Sequence, residues 1–324
     1  MESIVDPLKA SALLPAIALI GPTAVGKTEI SILLAEALAA EIINADSMQV
    51  YRGMDIATAK VSPADRARIR HHLVDILDPD QPFSVAQYQK LAQQAIADIC
   101  SRHKIPLLVG GSGLYLRAAL TPYSFSAYEI DYQLRSELQQ RALAEGGAAL
   151  LAELQEVDAA AAAKLHPNDT RRIIRALEFW QQTGETISSR QKLTAQSEPL
   201  YNVLWLGLTR DREDLYQRID ARVLAMIAAG LPEEMEYLRQ QGFDLNSIAG
   251  QALGYKEMLP WLEGRCSQAE AIARLQQETR RYAKRQLSWF RSEPGVIWLN
   301  LSHTSTAAAV QTLTHYCQEA LAIR

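Results

Sequence analysis

Eight consecutive residues, Gly21-Pro22-Thr23-Ala24-Val25-Gly26-Lys27-Thr28, satisfy the phosphate-loop pattern G-x-x-x-x-G-K-[ST] at every fixed position. In such a loop the glycines let backbone N–H groups approach an anion. Lys27 supplies a point charge, and the Thr28 hydroxyl is placed to hold Mg²⁺. The loop alone says di- or triphosphate, and kinases, NTPases and some transferases all use it. Asp46 is the second residue to explain, because a carboxylate close to a phosphate site repels the ligand. A helix cap or turn, a Mg²⁺ ligand and a general base each account for an aspartate there.

The flanking sequence sets the positions of both. Ala16-Ile17-Ala18-Leu19-Ile20 reads as a buried strand, and Ile30, Leu33, Leu34, Ala37 and Leu38 recur at helical spacing after the loop. Strand, glycine loop and helix together turn a helix N-terminus toward an anion. Ile42-Ile43 reads as a second strand. Asp46 and Ser47 follow its carboxyl end, where open α/β sheets bind ligands. Leu107-Leu108-Val109 is a further strand, after a helix capped by Ser84. It runs into Gly110-Gly111-Ser112-Gly113, which offers close backbone and the Ser112 hydroxyl but no metal-binding aspartate.

Met48 to Lys60 is too polar and aromatic for core and predicts a structured loop over the site. Pro63 opens a basic helical segment carrying Arg66, Arg68, Arg70, His71 and His72, read as a solvated face or a nucleic-acid contact. Residues from Tyr123 to Leu200 are rich in Ala, Leu, Gln and Glu and show no strand pattern, which predicts an all-helical insertion. Within it, Asn168 or Asp169 caps a helix with Arg171, Arg172 and Arg175, the first and last sharing a face. Leu204 to Leu208 reads as a returning core strand. Asp211 to Ala229 is an amphipathic helix bearing Arg218 and Arg222, and Ser267 with Glu270 forms a capping box. The helix that follows bears Arg280, Arg281, Lys284 and Arg285, then Trp289 and Phe290. Val296 to Leu299 is a last strand. The expected fold is α/β: a P-loop NTPase-like core with a parallel sheet flanked by helices, in residues 1–122 and 201–324, with a helical domain in 123–200.

The 324 residues carry a net charge of −4, which argues against a protein that coats nucleic acid non-specifically and leaves room for local basic patches. Cys100, Cys266 and Cys317 are odd in number and widely spaced, so they make neither a disulfide framework nor a zinc site. No apolar run approaches the ~20 residues that span a bilayer. Residues 1–15 lack the order of a signal peptide. A cytoplasmic, monomeric protein is expected.

The blocks GPTAVGKT, INADSMQVYRGMDIATAK and LLVGGSGLY resemble, in this order and spacing, the tRNA dimethylallyltransferase family. The resemblance continues through HPNDTRRIIRALE, IDARVLAMIAAGLPEE, QALGYKE and YAKRQLSWFR. Ala57, Val61 and Ser112 depart from the usual Gly, Pro and Thr, and Ser112 keeps the hydroxyl. No zinc finger of the eukaryotic type follows, which implies a bacterial-type member. The resemblance implies transfer of a dimethylallyl group from dimethylallyl diphosphate to N6 of adenosine 37 in the tRNA anticodon loop, with Mg²⁺. It implies that Gly21 to Thr28 hold the diphosphate, that Lys27, Thr28 and Arg222 stabilise it as it leaves, and that Asp46 takes the N6 proton. It implies tRNA contacts from Asp46, Ser47, Met48, Gln49, Ser112, Arg171, Arg172, Arg175, Gln251, Gly254, Tyr255, Lys256, Lys284 and Arg285. ATP, which the loop pattern alone suggests, is expected to be neither hydrolysed nor needed. The rival classes are an ATP-dependent small-molecule kinase or NTPase, an adenylate isopentenyltransferase acting on free nucleotides, and a non-catalytic RNA-binding protein.

Overall fold

An unbroken apolar run suits a strand covered on both faces, and Pro15–Ile20 forms β1 with its last five residues buried. The structure is a computed structural model that describes residues 13–123, 131–244, 247 and 249–321. Residues 1–12, the bulk of the segment without signal-peptide order, lie outside it. The chain divides into two compact units, one of residues up to Thr121 together with those from Leu200 onward, the other of Pro122–Pro199.

The first unit begins with β1, α1 (Lys27–Ala37), β2 (Ala40–Asn44), α2 (Pro63–Arg68), β3 (His71–His72), α3 (Val85–Ser101), β4 (Ile105–Gly110) and α4 (Gly113–Leu120). The second unit holds α5 (Tyr132–Ala144), α6 (Gly147–Val157), α7 (Ala159–Ala162), α8 (Thr170–Thr183) and α9 (Ile187–Gln196). The first unit resumes with β5 (Asn202–Thr209), α10 (Arg212–Ala228), α11 (Leu231–Gln240), α12 (Tyr255–Leu262), α13 (Gln268–Arg291), β6 (Ile297–Asn300) and α14 (Thr306–Leu321).

The six strands form one sheet in the order β3-β2-β4-β1-β5-β6, and every neighbouring pair is parallel. The chain leaves β1 for β2 on one side and later returns to β5 on the other. This reversal opens a crevice at the carboxyl end of β1. Alternate residues of β1 feed two cores. Ala16, Ala18 and Ile20 pack with Tyr88, Leu116 and Phe290, while Ile17 and Leu19 pack with Ile30, Leu34 and Leu313. Helices therefore cover both faces.

Two of the helices start as the sequence predicts. The Ser84 hydroxyl accepts from Gln87 N–H, and the Gln87 side chain returns to Ser84 N–H. Ser267 and Glu270 make the same reciprocal pair at α13. The basic segment after Pro63 differs from expectation. Its helix stops at Arg68, Ile69 is extended, and His71-His72 pairs with Ile42-Ile43 as the sheet edge. The driving contact is Glu41, buried in β2, which accepts from His72, Arg102 and Lys104. Arg66 pairs with Asp75 at 2.6 Å and Arg68 with Glu36 at 3.0 Å, so acids within the fold match these cations.

The helical unit has its own core of Leu138, Leu150, Leu154, Ile173 and Leu177. Beside it the buried Glu178 receives both Nε and NH2 of Arg135. The three cysteines described are free, with Cys317 buried. Among the described residues no helix is long and apolar enough to cross a membrane.

Candidate active site

The phosphate loop spans the gap from β1 to α1. Gly21 has φ +153°, and a Cβ there would lie 2.6 Å from the Leu208 carbonyl of β5, so only glycine lets the loop hug the sheet. The carbonyls of the loop are held by cationic side chains. Lys27 Nζ donates to Gly21 O at 2.9 Å and Pro22 O at 2.8 Å. Arg218 Nε donates to Ala24 O at 3.1 Å, and Arg210 Nε to Val25 O at 2.9 Å. No side chain caps α1 at Gly26. A helix start without a side-chain cap, backed by a lysine, has free N–H groups suited to an anion.

Cations crowd this mouth. Burial, then the charge of Arg222, depresses the Lys27 ammonium to about 7, against the pull of Asp46. Arg222, on α10, is itself lowered by burial and drawn back up by Asp46. Lys27, Arg222 and Asp46 thus lie within electrostatic reach of one another. A dianion would balance the two cations.

Asp46 stands just past β2, and its backbone is anchored. Its N–H donates to Asn44 Oδ1 at 3.1 Å, and Asn44 Nδ2 donates to its carbonyl at 3.1 Å. Tyr88 Oη holds the Asn44 carbonyl at 3.1 Å. Asp46 Oδ1 accepts from Met48 N–H at 2.9 Å. This is the local turn that the sequence offers as the plain explanation of an aspartate. It uses one oxygen only. Among the described residues Oδ2 has no hydrogen-bond partner, so the carboxylate is oriented and half free. Burial, with Tyr51 and Asp46 adding, pushes the Tyr115 phenol up to about 12. Burial first and Asp46 second also raise Tyr282, which bonds Ser112 and Gln286. Both tyrosines therefore stay protonated beside Asp46.

The glycine loop after β4 closes on the same place. Ser112 N–H donates to the Ala45 carbonyl at 3.3 Å. β4 is the immediate neighbour of β1 and ends at Gly110, without the carboxylate an ATPase places there. The segment from Met48 to Lys60 is an ordered loop. Gln49 Nε2 donates to Thr58 O at 3.1 Å, which spends the side chain on the loop itself. Lys60, nearly fully buried, donates to Tyr51 O, Asp55 and Asp75. Glu234 of α11 accepts from the N–H groups of Asp55, Ile56 and Ala57 at 2.8, 2.7 and 3.1 Å.

Among the described residues no group of three or more His, Cys, Asp or Glu is gathered to hold an ion. Thr28 is exposed in the first turn of α1. One hydroxyl fits a Mg²⁺ that arrives with its phosphate oxygens and waters, not a resident protein cage.

A family model described as IPP transferase matches residues 49–293, and one described as isopentenyl transferase matches residues 15–77. A tRNA dimethylallyltransferase of Symbiobacterium thermophilum is 50% identical over 289 residues, covering 89% of this chain and 90% of its own. The chain belongs to the tRNA dimethylallyltransferase family. The full-length tRNA isopentenylpyrophosphate transferase of Bacillus halodurans is 40% identical, with a TM-score of 0.72 over 95% of this chain and 97% of that one. A eukaryotic dimethylallyltransferase, captured acting on tRNA, is 29% identical, with a TM-score of 0.82 over 96% of this chain and 80% of that one. The expected P-loop-like core with a parallel sheet is therefore the fold of this tRNA dimethylallyltransferase family member.

The residues expected to meet tRNA fall into four groups, with Tyr255 apart from them. Arg171, Arg172 and Arg175 on α8 are exposed and make no ion pair among the described residues, unlike Arg135, Arg141 and Arg190 of the same unit. Lys284 and Arg285 on α13 are likewise exposed without acids, whereas Arg280 pairs with Asp220 and Arg281 with Glu278. Ser47, Met48 and Ser112 are half-buried at the crevice. Gln251 and Lys256 are exposed around the Gly254 turn, whose N–H bonds Glu257 at 2.9 Å. Tyr255 is corrected. Its side chain is fully buried and its hydroxyl donates to Glu234 at 2.9 Å, so it braces the loop from inside and presents no ring to RNA. Sequence reasoning did not single out Arg210, Glu234, Tyr282 or Gln286. Glu234, Tyr282 and Gln286 lie inside the blocks that carry the family resemblance, but their roles do not show there, because their partners lie far along the chain.

Proposed function

We propose that the protein transfers a dimethylallyl group from dimethylallyl diphosphate to N6 of adenosine 37 in the anticodon loop of tRNA, releasing diphosphate. The observation that carries this reading is the Asp46 carboxylate, one oxygen held by Met48 N–H and the other open, facing the cations of the phosphate loop. N6 of adenine is a weak nucleophile, because its lone pair is shared with the ring. As its bond to the allylic carbon forms, the carbon–oxygen bond to diphosphate breaks and both electrons leave with the oxygen. The loop N–H groups, Lys27 and Arg222 stabilise that growing charge. Asp46 receives the proton that N6 must lose. Mg²⁺ held by Thr28 and the phosphates would supply further charge neutralisation. The target base leaves its stack to enter the crevice, as base-modifying chemistry requires. Arg171, Arg172 and Arg175, and separately Lys284 and Arg285, are proposed to grip RNA phosphates.

The test is to mix the protein, Mg²⁺, labelled dimethylallyl diphosphate and unmodified tRNA in nucleotide-free buffer and to look for label in RNA at adenosine 37. Label on free adenosine monophosphate instead would favour an adenylate isopentenyltransferase. A need for ATP, or RNA-stimulated ATP hydrolysis, would favour a kinase or NTPase.

A further inference from the structure

Gln286 lies on α13, 6% exposed, between two loops that are distant in sequence. Its Oε1 accepts from the Thr23 N–H of the phosphate loop at 2.9 Å, and its Nε2 donates to the Gly111 carbonyl of the glycine loop at 3.0 Å. Thr23 follows β1 and Gly111 follows β4, neighbouring strands whose carboxyl ends share the crevice. The side chain that spans them must offer an acceptor at one end and a donor at the other, without charge. A carboxylate would set a negative oxygen against the Gly111 carbonyl. A leucine would leave a buried N–H and a buried carbonyl unpaired. Gly111 is fitted to the same group, because the amide nitrogen fills the space a Cβ would take. The helix is fixed in place by further contacts. Trp289 occupies the space beside Gly113, the Arg117 guanidinium lies 4.5 Å from the Trp289 ring centroid, and Arg117 pairs with Glu293 at 2.7 Å.

We propose that Gln286 is a positioning residue of the transfer reaction, binding the phosphate loop to the glycine loop so that the diphosphate cradle is formed before the donor arrives. It touches no reacting atom. It commits the Thr23 N–H to the protein, leaving the helix-start N–H groups for the anion, and holds Ser112 and its neighbours at a set distance from them. The inference rests on the reading that the loop holds the donor diphosphate.

The test uses the full-length protein and the variants Gln286→Leu and Gln286→Glu. Donor KM and kcat are measured at saturating tRNA, tRNA affinity by filter binding, and folding by thermal melting. For Gln286→Leu, donor KM rises about tenfold or more while tRNA affinity stays within about threefold. Gln286→Glu changes one atom and serves if the leucine variant does not fold. Its donor KM, taken as a ratio to the wild type at each pH, is raised at about pH 8 and falls back toward one at about pH 5.5, where a protonated carboxyl again donates to Gly111 and accepts from Thr23. A folded leucine variant with unchanged donor KM overturns the proposal. So does a loss confined to tRNA affinity, or a glutamate ratio that is flat with pH. A wild-type protein that labels no RNA would instead sink the functional reading itself.

Discussion

The Lys27 ammonium donates 2.8 Å to the carbonyl of Pro22, folding back onto its own phosphate loop. Burial, then Arg222, lowers it to about 7, so the free protein holds a cation below that pH and a neutral amine above it. An arriving diphosphate favours the charged form. Donor kcat/KM is therefore expected to fall above about pH 7, approaching tenfold per pH unit. Lys27→Met removes this limb along with most of the activity. A pH profile measured at limiting donor checks it. A profile level through pH 9 would show that Lys27 stays charged.

Asp46 is oriented by Met48 N–H and keeps one oxygen open. Asp46→Asn preserves the shape and removes the proton acceptor. Turnover is expected to drop by roughly 10²–10⁴ with tRNA affinity changed far less. Single-turnover transfer and filter binding separate the two. Near-normal turnover would return Asp46 to the role of a turn residue.

Glu234 holds three successive N–H groups, those of Asp55, Ile56 and Ala57. Glu234→Gln cannot accept all of them and also serve Tyr255. Hydrogen exchange in the segment 48–60 is expected to speed up about tenfold or more, a loss of order 1–3 kcal/mol at that site. The donor KM stays near its original value while the KM for tRNA rises. Unchanged exchange would mean that Lys60 and Gln49 hold the loop without Glu234.

Exposed cations that meet phosphate leave a signature in salt. Replacing Arg171, Arg175, Lys284 or Arg285 by Ala is expected to weaken all substrate tRNAs alike and reduce the slope of log affinity against log salt by about one each. Arg281, already paired with Glu278 at 2.5 Å, is the control and should leave the slope unchanged. A variant that loses one tRNA and keeps its slope would indicate a base contact.

Glu41 is a stability element. Its hydrogen bonds from Arg102 hold the carboxyl well below its usual range, with His72 and Lys104 adding and burial opposing. A depressed carboxylate contributes above its unfolded value of 4.5 and loses that contribution as pH falls toward the folded value. Glu41→Gln is expected to cost about 1–3 kcal/mol at neutral pH, because a neutral amide in the buried Glu41 position no longer satisfies the half-exposed Arg102 and Lys104, and to flatten the acid dependence below about pH 4.5. Urea melts across that range read both effects.

Where the physics is local, the chain can be read directly. The phosphate loop, the Ser84 and Ser267 caps, the strand ending before Asp46 and the glycine loop all follow from residues within a few positions of each other. The partners of the site cannot be read this way. Gln286 meets Thr23 across 263 positions, and Arg210 meets Val25 across 185. The edge strand at His71 was hidden because two residues carry no period, and the preceding arginines favour a helix. Tyr255 misled for a related reason. An aromatic beside a lysine in a turn has the pattern of an RNA contact, and only the fold turns its ring inward to Glu234.

A single unbroken helix, α13, runs 24 residues and carries Tyr282 and Gln286 one turn apart toward the crevice, with Lys284 and Arg285 exposed between them. Each residue advances the azimuth by about 100°. Point substitutions can retune either face alone. A one-residue insertion or deletion ahead of Tyr282 within the helix rotates everything beyond it. It would swing the glutamine out of its bracket and turn the cations away from their present heading in the same event. Length and phase are therefore under tighter constraint in α13 than the identity of most of its side chains, and homologues should vary there by exchange of residues and not by gaps.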